Sequence, residues 1–143
     1  MGNKRVTRAV ILAAGRGSRL APLTDHLPKP LVPVNGRRII STILDALKAA
    51  GISTITIVRG YRGEQFDTLL AEHPGLSFVE NPVWETSNNI SSIAIAGRAG
   101  LLEDSYVIEG DLYLSNPAVI TPIQERSNYL AFPVQETDDW CFD

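Results

Sequence analysis

Short apolar runs alternate along the chain with segments whose apolar residues recur at helical spacing. Strands are predicted at 6–13, 53–58, 76–80 and 105–114. Helices are predicted at 39–50, 64–73 and 87–102. The first run is continuously apolar, which is typical of a strand covered on both faces in a parallel sheet. The alternation of strand and helix predicts an α/β fold with a doubly wound, mostly parallel sheet and right-handed crossovers.

The second and third predicted helices each have an apolar stripe that should face the sheet. The stripe of the second helix comprises Phe66, Leu69, Leu70 and His73. The stripe of the third comprises Ile90, Ile93, Ala94, Gly97 and Leu101. Either Asn88 or Asn89 is expected to cap the third helix at its N-terminus.

Length and charge narrow the classes of function. The chain has 143 residues, of which 44% are hydrophobic, so one globular domain is expected. A net charge of −3 argues against nucleic-acid binding. No apolar run approaches the roughly 20 residues that span a bilayer, so no membrane partner is expected. Cys141 is the single cysteine, which rules out an internal disulfide and makes the cytoplasm the expected compartment.

The N-terminal sequence MGNKRVTRAVILAAG invites comparison with a signal peptide, because basic residues precede an apolar stretch. That stretch is only about six residues long, whereas the apolar core of a signal peptide usually has about 7 to 15. The sequence therefore favours a strand here.

A glycine-containing loop follows the first strand. Gly15 and Gly17 stand where an open α/β sheet binds its ligand, and glycines there allow backbone N–H groups to approach an anion closely. The loop is not a Walker A motif, because no Gly-Lys-Ser/Thr follows. It is not a dinucleotide fingerprint either, because Leu20 occupies the third glycine position.

Cationic residues accompany these glycines. Arg16 and Arg19 lie in the loop, and Lys29 is held between Pro28 and Pro30, which restrict the backbone. Arginine can bind phosphate oxygens through two N–H groups, and lysine acts as a point charge. The loop is thus either a phosphate clamp or a proline-rich surface loop with solvated charges.

The motif LAAGRGSRLAPLT…PKPLVPV resembles the signature of nucleotidyltransferases that join a nucleoside triphosphate to a phosphorylated small molecule and release pyrophosphate. The similarity continues through GYRGEQF and GDLYL and so covers most of the chain. It implies a Rossmann-like nucleotidyltransferase domain over 1–143, here its N-terminal, nucleotide-binding portion. It also implies that Arg19 and Lys29 are catalytic residues at the phosphates. The nucleotide-binding residues implied by the resemblance are Leu12, Ala13, Ala14, Gly15, Arg16, Gly17, Ser18, Arg19, Lys29, Gly60, Tyr61, Asn88 and Ser91.

One carboxylate is a candidate metal ligand. Asp111 follows a predicted buried strand, and Mg²⁺ binds one or two protein carboxylates together with water and phosphate oxygens. The alternative is a solvated acidic turn. Glu109 could point the same way if the strand continues. The resemblance places Mg²⁺, the expected cofactor, on Asp111 and does not extend to Glu109.

The segment NPVWETSNNISSIAIA bears on the substrate. Its tandem asparagines at a helix start resemble cytidylyltransferases for phosphocholine and related phospho-amines, so CTP and phosphocholine are the expected substrates. An amino or trimethylammonium group suits aromatic faces and carboxylates. The candidates are Trp84, Tyr113, Trp140, Glu136, Asp138 and Asp139. Alternative acceptors are 2-aminoethylphosphonate, or a sugar 1-phosphate used with UTP or dTTP. An alternative of another class is a non-catalytic nucleotide-binding module. A homo-oligomer is possible in each case.

The end of the chain carries a further expectation. Members of the resembling family are longer, and a second metal carboxylate comes from their C-terminal part. Asp138, Asp139 and Asp143 stand earlier than that position and are not assigned as ligands. A domain truncated at its C-terminal end is therefore expected to bind nucleotide but to turn over slowly or not at all. His26 and His73 are interpreted as ordinary surface or packing residues, and no motif around Cys141 suggests a nucleophilic role.

Overall fold

The computed structural model describes residues 4–128, which form a parallel sheet, two short antiparallel ribbons and helices. The strands are β1 Lys4–Arg5, β2 Arg8–Ala13, β3 Pro33–Val34, β4 Arg37–Arg38, β5 Thr54–Arg59, β6 Leu76–Glu80, β7 Ser105–Glu109 and β8 Ile123–Gln124. The α-helices are α1 Ile39–Ala49 and α2 Asn89–Arg98. The 3-10 helices are Ser18–Leu20, Leu23–Asp25, Lys29–Leu31, Gly63–Ala71 and Pro117–Val119.

The parallel sheet has the strand order β6-β5-β2-β7, with every neighbouring pair parallel. β2 lies inside the sheet, where Ile11 pairs with Ile57 on one side and Ile108 on the other. This position explains why the first strand is almost wholly apolar. The predicted α/β fold with a parallel sheet is therefore confirmed.

Residues of β2 alternate between the two faces of the sheet, as side chains of a strand must. Ala9, Ile11 and Ala13 pack in one core cluster, which includes apolar residues of α1 and of the 3-10 helix Gly63–Ala71. Val10 and Leu12 pack in a second cluster, which includes Ala96 of α2. Both faces are thus covered by helices, which confirms the doubly wound arrangement.

The second predicted helix is a 3-10 helix over Gly63–Ala71 rather than an α-helix. Its buried residues are Gly63, Phe66 and Leu69, which are spaced three apart. Three residues complete one turn of a 3-10 helix, so this spacing places all of them on one face. Leu70, predicted to share that face, is 37% exposed.

The predicted buried face of α2 is wrong in part. The buried residues are Ser92 and Ala96, whereas Ile90 is 51% exposed and Ala94 and Gly97 are also exposed. The buried side-chain amide of Asn81 donates to the hydroxyls of Ser91 and Ser92 at the start of α2, which draws that side of the helix inward. Ile93 and Leu101 are partly buried against the second core cluster, as predicted.

Some predictions lie outside the described residues, namely those on Glu136, Asp138, Asp139, Trp140, Cys141 and Asp143. Across residues 4–128, none of the helices has the length and apolar character needed to cross a membrane.

Candidate functional site

A pocket opens at the carboxyl ends of β2 and β7, where ligands bind in open parallel sheets. It is lined by Leu12, Ala13, Gly15, Gly17, Lys29, Pro30, Asn89, Glu109 and Asp111. The pocket therefore combines the glycine-containing loop, the lysine between two prolines and the aspartate after β7. Apart from Glu109, the other lining residues are far from Asp111 in sequence. The parallel pairing of β2 with β7 brings them together.

Gly17 fixes the shape of the loop. Its φ of +69° lies in the left-handed region, and a Cβ atom there would stand 2.8 Å from the Cβ of Lys29. Glycine is required both for that backbone conformation and for that close approach. The buried Thr24 donates its hydroxyl to the Gly17 carbonyl at 2.9 Å. The loop is thus folded back on itself beside Lys29.

Lys29 and Asp111 form an ion pair across the pocket. The Lys29 Nζ donates to Asp111 Oδ2 at 2.6 Å, and the two side chains are 32% and 39% exposed. The predicted phosphate ligand and the predicted metal ligand are therefore in contact. A pair this exposed contributes little to stability, so its importance lies in the arrangement of charge at the pocket.

Glu109 lies beside Asp111 in the same pocket. The Asn89 side-chain amide donates to both Glu109 carboxylate oxygens at 3.1 Å. Burial raises the pKa of Glu109, the charge of Asp111 raises it further, and the Asn89 hydrogen bonds act in the opposite direction. β7 ends at Glu109 and does not continue through Asp111 as the sequence predicted, yet both side chains line the pocket.

The other cations of the loop lie outside this pocket. Arg16 pairs with Asp25 at 3.2 Å, and its guanidinium carbon is 5.7 Å from the Tyr61 ring centroid. Ser18 and Arg19 are exposed in the 3-10 helix Ser18–Leu20 and are not among the residues that line the pocket within 4–128. Phosphate contacts by these residues stay predictions.

Gly60 and Tyr61 lie next to the glycine-containing loop rather than in the pocket. The Tyr61 N–H donates to the Ala14 carbonyl at 2.9 Å. The Trp84 ring packs edge-on against Tyr61, with the centroids 5.4 Å apart. A Cβ on Gly60 would be 2.6 Å from Trp84 Cγ, so glycine is what allows this packing.

The side chains of Asn88 and Ser91 form hydrogen bonds within the protein at the start of α2. Asn88 is the N-cap, and its Oδ1 accepts from the Ile90 N–H at 3.0 Å. The Ser91 hydroxyl donates to the Asn88 carbonyl at 2.9 Å. Asn89, which the sequence predicted as the alternative cap, is the asparagine that lines the pocket. Nucleotide contacts by Asn88 and Ser91 stay predictions.

Asn81 is a structural residue that no sequence pattern indicates. It is 2% exposed, and its side-chain amide donates to the hydroxyls of Ser91 and Ser92 at 2.9 Å each. Its Oδ1 accepts from the Val83 N–H at 3.0 Å. A lone asparagine after a strand is usually interpreted as a turn residue, and its partners are known only once the fold is known.

Oxygen donors suitable for Mg²⁺ meet in the pocket. Asp111 and Glu109 supply carboxylates in the pocket, and Asn89 adds an amide. Among residues 4–128 no group of three or more His, Cys, Asp or Glu side chains could hold a metal ion alone. The donor set fits a cation that keeps water and phosphate oxygens among its ligands, which is the habit of Mg²⁺.

Comparison with known proteins agrees with this picture. The family model described as MobA-like NTP transferase domain matches residues 9–139. A 2-aminoethylphosphonate cytidylyltransferase from Lancefieldella rimae is 42% identical over 99% of this chain and 58% of its own length. A choline-phosphate cytidylyltransferase from Streptococcus pneumoniae is 36% identical over 93% of this chain and 57% of its own length.

A solved structure shows the same fold. The structure of CTP:phosphocholine cytidylyltransferase from Streptococcus pneumoniae matches with a TM-score of 0.72 and 42% identity, covering 79% of this chain and 48% of that one. The chain thus spans about half the length of the relatives it matches. These matches confirm the resemblance to nucleotidyltransferases that the glycine-containing loop indicated.

Proposed function

The chain belongs to the family of MobA-like NTP transferase domains, and we propose that it acts in a cytidylyltransferase, where it binds CTP. The reaction transfers the cytidylyl group to a phosphorylated small molecule and releases pyrophosphate. The observation that carries the proposal is the meeting of Gly15, Gly17, Lys29 and Asp111 in one pocket. Because CTP is a metabolite of the cytoplasm, we place the reaction there.

The proposed chemistry needs no protein nucleophile. A phosphate or phosphonate oxygen of the acceptor attacks the α-phosphorus of CTP, and the bond from that phosphorus to the bridging oxygen of pyrophosphate breaks. The chain supplies positioning and charge neutralisation, which are the main sources of rate in such transfers. Backbone N–H groups of the loop from Gly15 to Ser18 and the exposed cation Arg19 are our proposed phosphate ligands.

In this proposal Lys29 contacts both Asp111 and the phosphates. Its ammonium has three N–H donors, so it can keep its contact with Asp111 at 2.6 Å and also donate to a phosphate oxygen. Its backbone lies between Pro28 and Pro30, both buried, which limits where the side chain can reach. Lys29 therefore orients the phosphates against the carboxylate.

Asp111 is the proposed ligand of Mg²⁺, with Glu109 close by in the same pocket. A bound Mg²⁺ would neutralise charge on the phosphates, including the pyrophosphate that leaves. The hydrogen bonds from Asn89 hold Glu109 on the wall of the pocket. Both carboxylates therefore stand where the phosphates and their cation are proposed to bind.

The acceptor is proposed to be a small phospho-amine. Phosphocholine is the first candidate, and 2-aminoethylphosphonate is the second, since the relative from Lancefieldella rimae that bears the latter name matches 99% of this chain. The two share a positively charged nitrogen and a phosphorus oxyanion. An aromatic face suits that nitrogen, and Trp84 and the 39%-exposed Tyr113 are candidates among the described residues.

Pyrophosphate release tests the proposal. CTP, UTP, dTTP and GTP are each supplied with phosphocholine, 2-aminoethylphosphonate or glucose 1-phosphate in the presence of Mg²⁺. We expect release that depends on CTP and on one of the two phospho-amines. Release with UTP or dTTP and the sugar phosphate would favour a sugar-phosphate nucleotidyltransferase. Tight CTP binding without release under any condition, both by this chain and by a chimera extended with the rest of the Lancefieldella rimae relative, would favour a non-catalytic nucleotide-binding module.

A further inference from the structure

Tyr61 connects two distant parts of the glycine-containing loop. Its backbone N–H donates to the carbonyl of Ala14, where the loop begins, at 2.9 Å. Its hydroxyl lies 2.9 Å from the carbonyl oxygen of Thr24 and 2.8 Å from that of Asp25, about ten residues further along the loop. One residue outside the loop therefore holds it at both ends.

The hydroxyl of Tyr61 is fully used within the protein. A phenolic hydroxyl has one hydrogen to donate, and both carbonyls of the loop lie within reach of it. The same oxygen accepts from the Nε of Arg62 at 3.1 Å, and the Nη2 of Arg62 donates to the Asp25 carbonyl at 3.2 Å. These contacts direct the hydroxyl toward the loop and not toward the pocket.

The ring of Tyr61 is also packed against neighbouring side chains. Trp84 packs edge-on against it at an interplanar angle of 62°, and the guanidinium of Arg16 lies 5.7 Å from its centroid. The Tyr61 side chain is therefore fixed by neighbours on several sides, as a residue that supports a loop should be.

The support passes from Tyr61 to the pocket through Thr24. Tyr61 bonds to the Thr24 carbonyl, and the Thr24 hydroxyl donates to the Gly17 carbonyl at 2.9 Å. Gly17 in turn lies against the side chain of Lys29, as the 2.8 Å from its ideal Cβ position to Lys29 Cβ shows. Loss of the Tyr61 hydroxyl should thus alter the positions of both Gly17 and Lys29.

We propose that Tyr61 is a positioning residue that shapes the phosphate-binding loop in advance of ligand binding and does not contact the base. This inference rests on the proposed function, because it takes the loop to bind phosphates. Loop ordering on binding costs free energy, and a loop that is already ordered avoids that cost. Loss of the Tyr61 hydroxyl should therefore weaken binding of any polyphosphate, whatever its base.

The test compares Tyr61→Phe with the wild-type chain by calorimetry, using CTP, UTP and inorganic pyrophosphate with Mg²⁺. We expect dissociation constants about three- to tenfold higher for all three ligands, which is the usual effect of one lost hydrogen bond. The ratio of the CTP and UTP constants should not change. A changed ratio, or weaker CTP binding with pyrophosphate unaffected, would show a base contact and overturn the proposal, as would unchanged binding of all three.

Tyr106→Phe is the matched control. Its hydroxyl also donates to a backbone carbonyl, that of Thr121, which lies outside the pocket. It should leave the three dissociation constants as they are. Hydrogen exchange of residues 14–25 without ligand gives a second readout, in which Tyr61→Phe should accelerate exchange and Tyr106→Phe should not; equal exchange in both would contradict the positioning role. A wild-type chain that binds none of the ligands would refute the proposed function. The exchange comparison would then still show whether Tyr61 orders the loop.

Discussion

At the scale of single residues, the contact between Lys29 and Asp111 is the feature that most affects the chemistry. The two residues are 82 positions apart, and the sequence predicted different tasks for them. Their contact leaves the pocket with one cation and one carboxylate already opposed before a nucleotide binds. Since about a third of each side chain is exposed, the pair adds little to folding stability. Substitution of either residue should thus report on function.

Lys29→Ala should reduce kcat/KM for CTP at least about tenfold, because a charged hydrogen bond to phosphate is worth roughly 1.5 to 3 kcal/mol. The melting temperature should hardly change. Steady-state pyrophosphate release and thermal unfolding measure the two effects. Lys48→Ala removes an exposed lysine from α1 and serves as the control. Kinetics of Lys29→Ala equal to those of the control would remove Lys29 from the site.

Asp111→Asn should largely abolish the strengthening of CTP binding by Mg²⁺, because the amide keeps the shape of the side chain and loses its charge. Calorimetry with and without Mg²⁺ measures the effect. Asp45→Asn is a suitable control, since Asp45 pairs with Arg37 on the surface. If Mg²⁺ strengthened CTP binding equally in the wild-type and Asp111→Asn chains, Asp111 would not be the metal ligand.

The candidate site could be predicted to the extent that its residues follow from local sequence. Lys29 stands between prolines and Asp111 follows an apolar run, so both could be singled out, and the structure brings them into one pocket. The run was predicted to be a buried strand, but β7 lies at the edge of the sheet and Ile108 is its one buried residue. The hydroxyl of Tyr61 and the role of Asn89 depend on which segments meet in the fold. Neither is encoded by spacing, because their partners Thr24 and Glu109 are 37 and 20 residues away.

At the scale of elements, the sequence predicted α1 and three strands of the parallel sheet within two residues at each end, whereas β7 ends at Glu109, five residues before the predicted end at 114. These segments bury apolar side chains at the period of their own secondary structure, which is the signal that prediction uses. The buried face of α2 could not be found this way. Two of its inward residues, Ser92 and Ala96, are small or polar, and Ser92 is buried because it bonds to Asn81.

Asn81→Ala should lower the free energy of unfolding by at least about 2 kcal/mol, because it leaves the Val83 N–H and the Ser92 hydroxyl without this partner. Urea unfolding followed by circular dichroism measures the change. Asn88→Ala removes only the cap of α2 and should cost about 1 kcal/mol. A smaller loss for Asn81→Ala than for Asn88→Ala would show that the buried amide is not what holds α2 on the sheet.

Gly60→Ala should cost about 1 to 3 kcal/mol, because the new methyl group must displace a tightly packed ring. Its Cβ would stand 2.6 Å from Trp84 Cγ and 2.7 Å from Trp84 Cβ. Tryptophan fluorescence should shift together with the unfolding midpoint. Gly75→Ala is the control, since a Cβ there has no atom within 4 Å. Wild-type fluorescence and stability in Gly60→Ala would mean that Trp84 does not pack against this glycine.

At the scale of the whole molecule, the parallel sheet determines where the chemistry lies. β2 and β7 are neighbours and run the same way, so the loop after β2 and Asp111 after β7 meet at one edge. α2 begins at that edge as well, which brings Asn89 to Glu109. The pocket is thus assembled by topology from segments that are far apart in sequence. The described residues contribute two carboxylates to it, Glu109 and Asp111.

The last prediction concerns how much of the reaction this chain performs alone. It covers 58% of the Lancefieldella rimae relative, and the residues that line the pocket lie within the shared part. We expect the 143-residue chain to bind CTP but to release pyrophosphate at least about tenfold more slowly than a chimera extended with the rest of that relative, a difference of about 1.4 kcal/mol in activation free energy. The reason is that one added charged hydrogen bond to the phosphates or the acceptor is worth roughly 1.5 to 3 kcal/mol. Calorimetry and acceptor-dependent release compare the two proteins. Equal turnover would show that the residues of this chain suffice for catalysis.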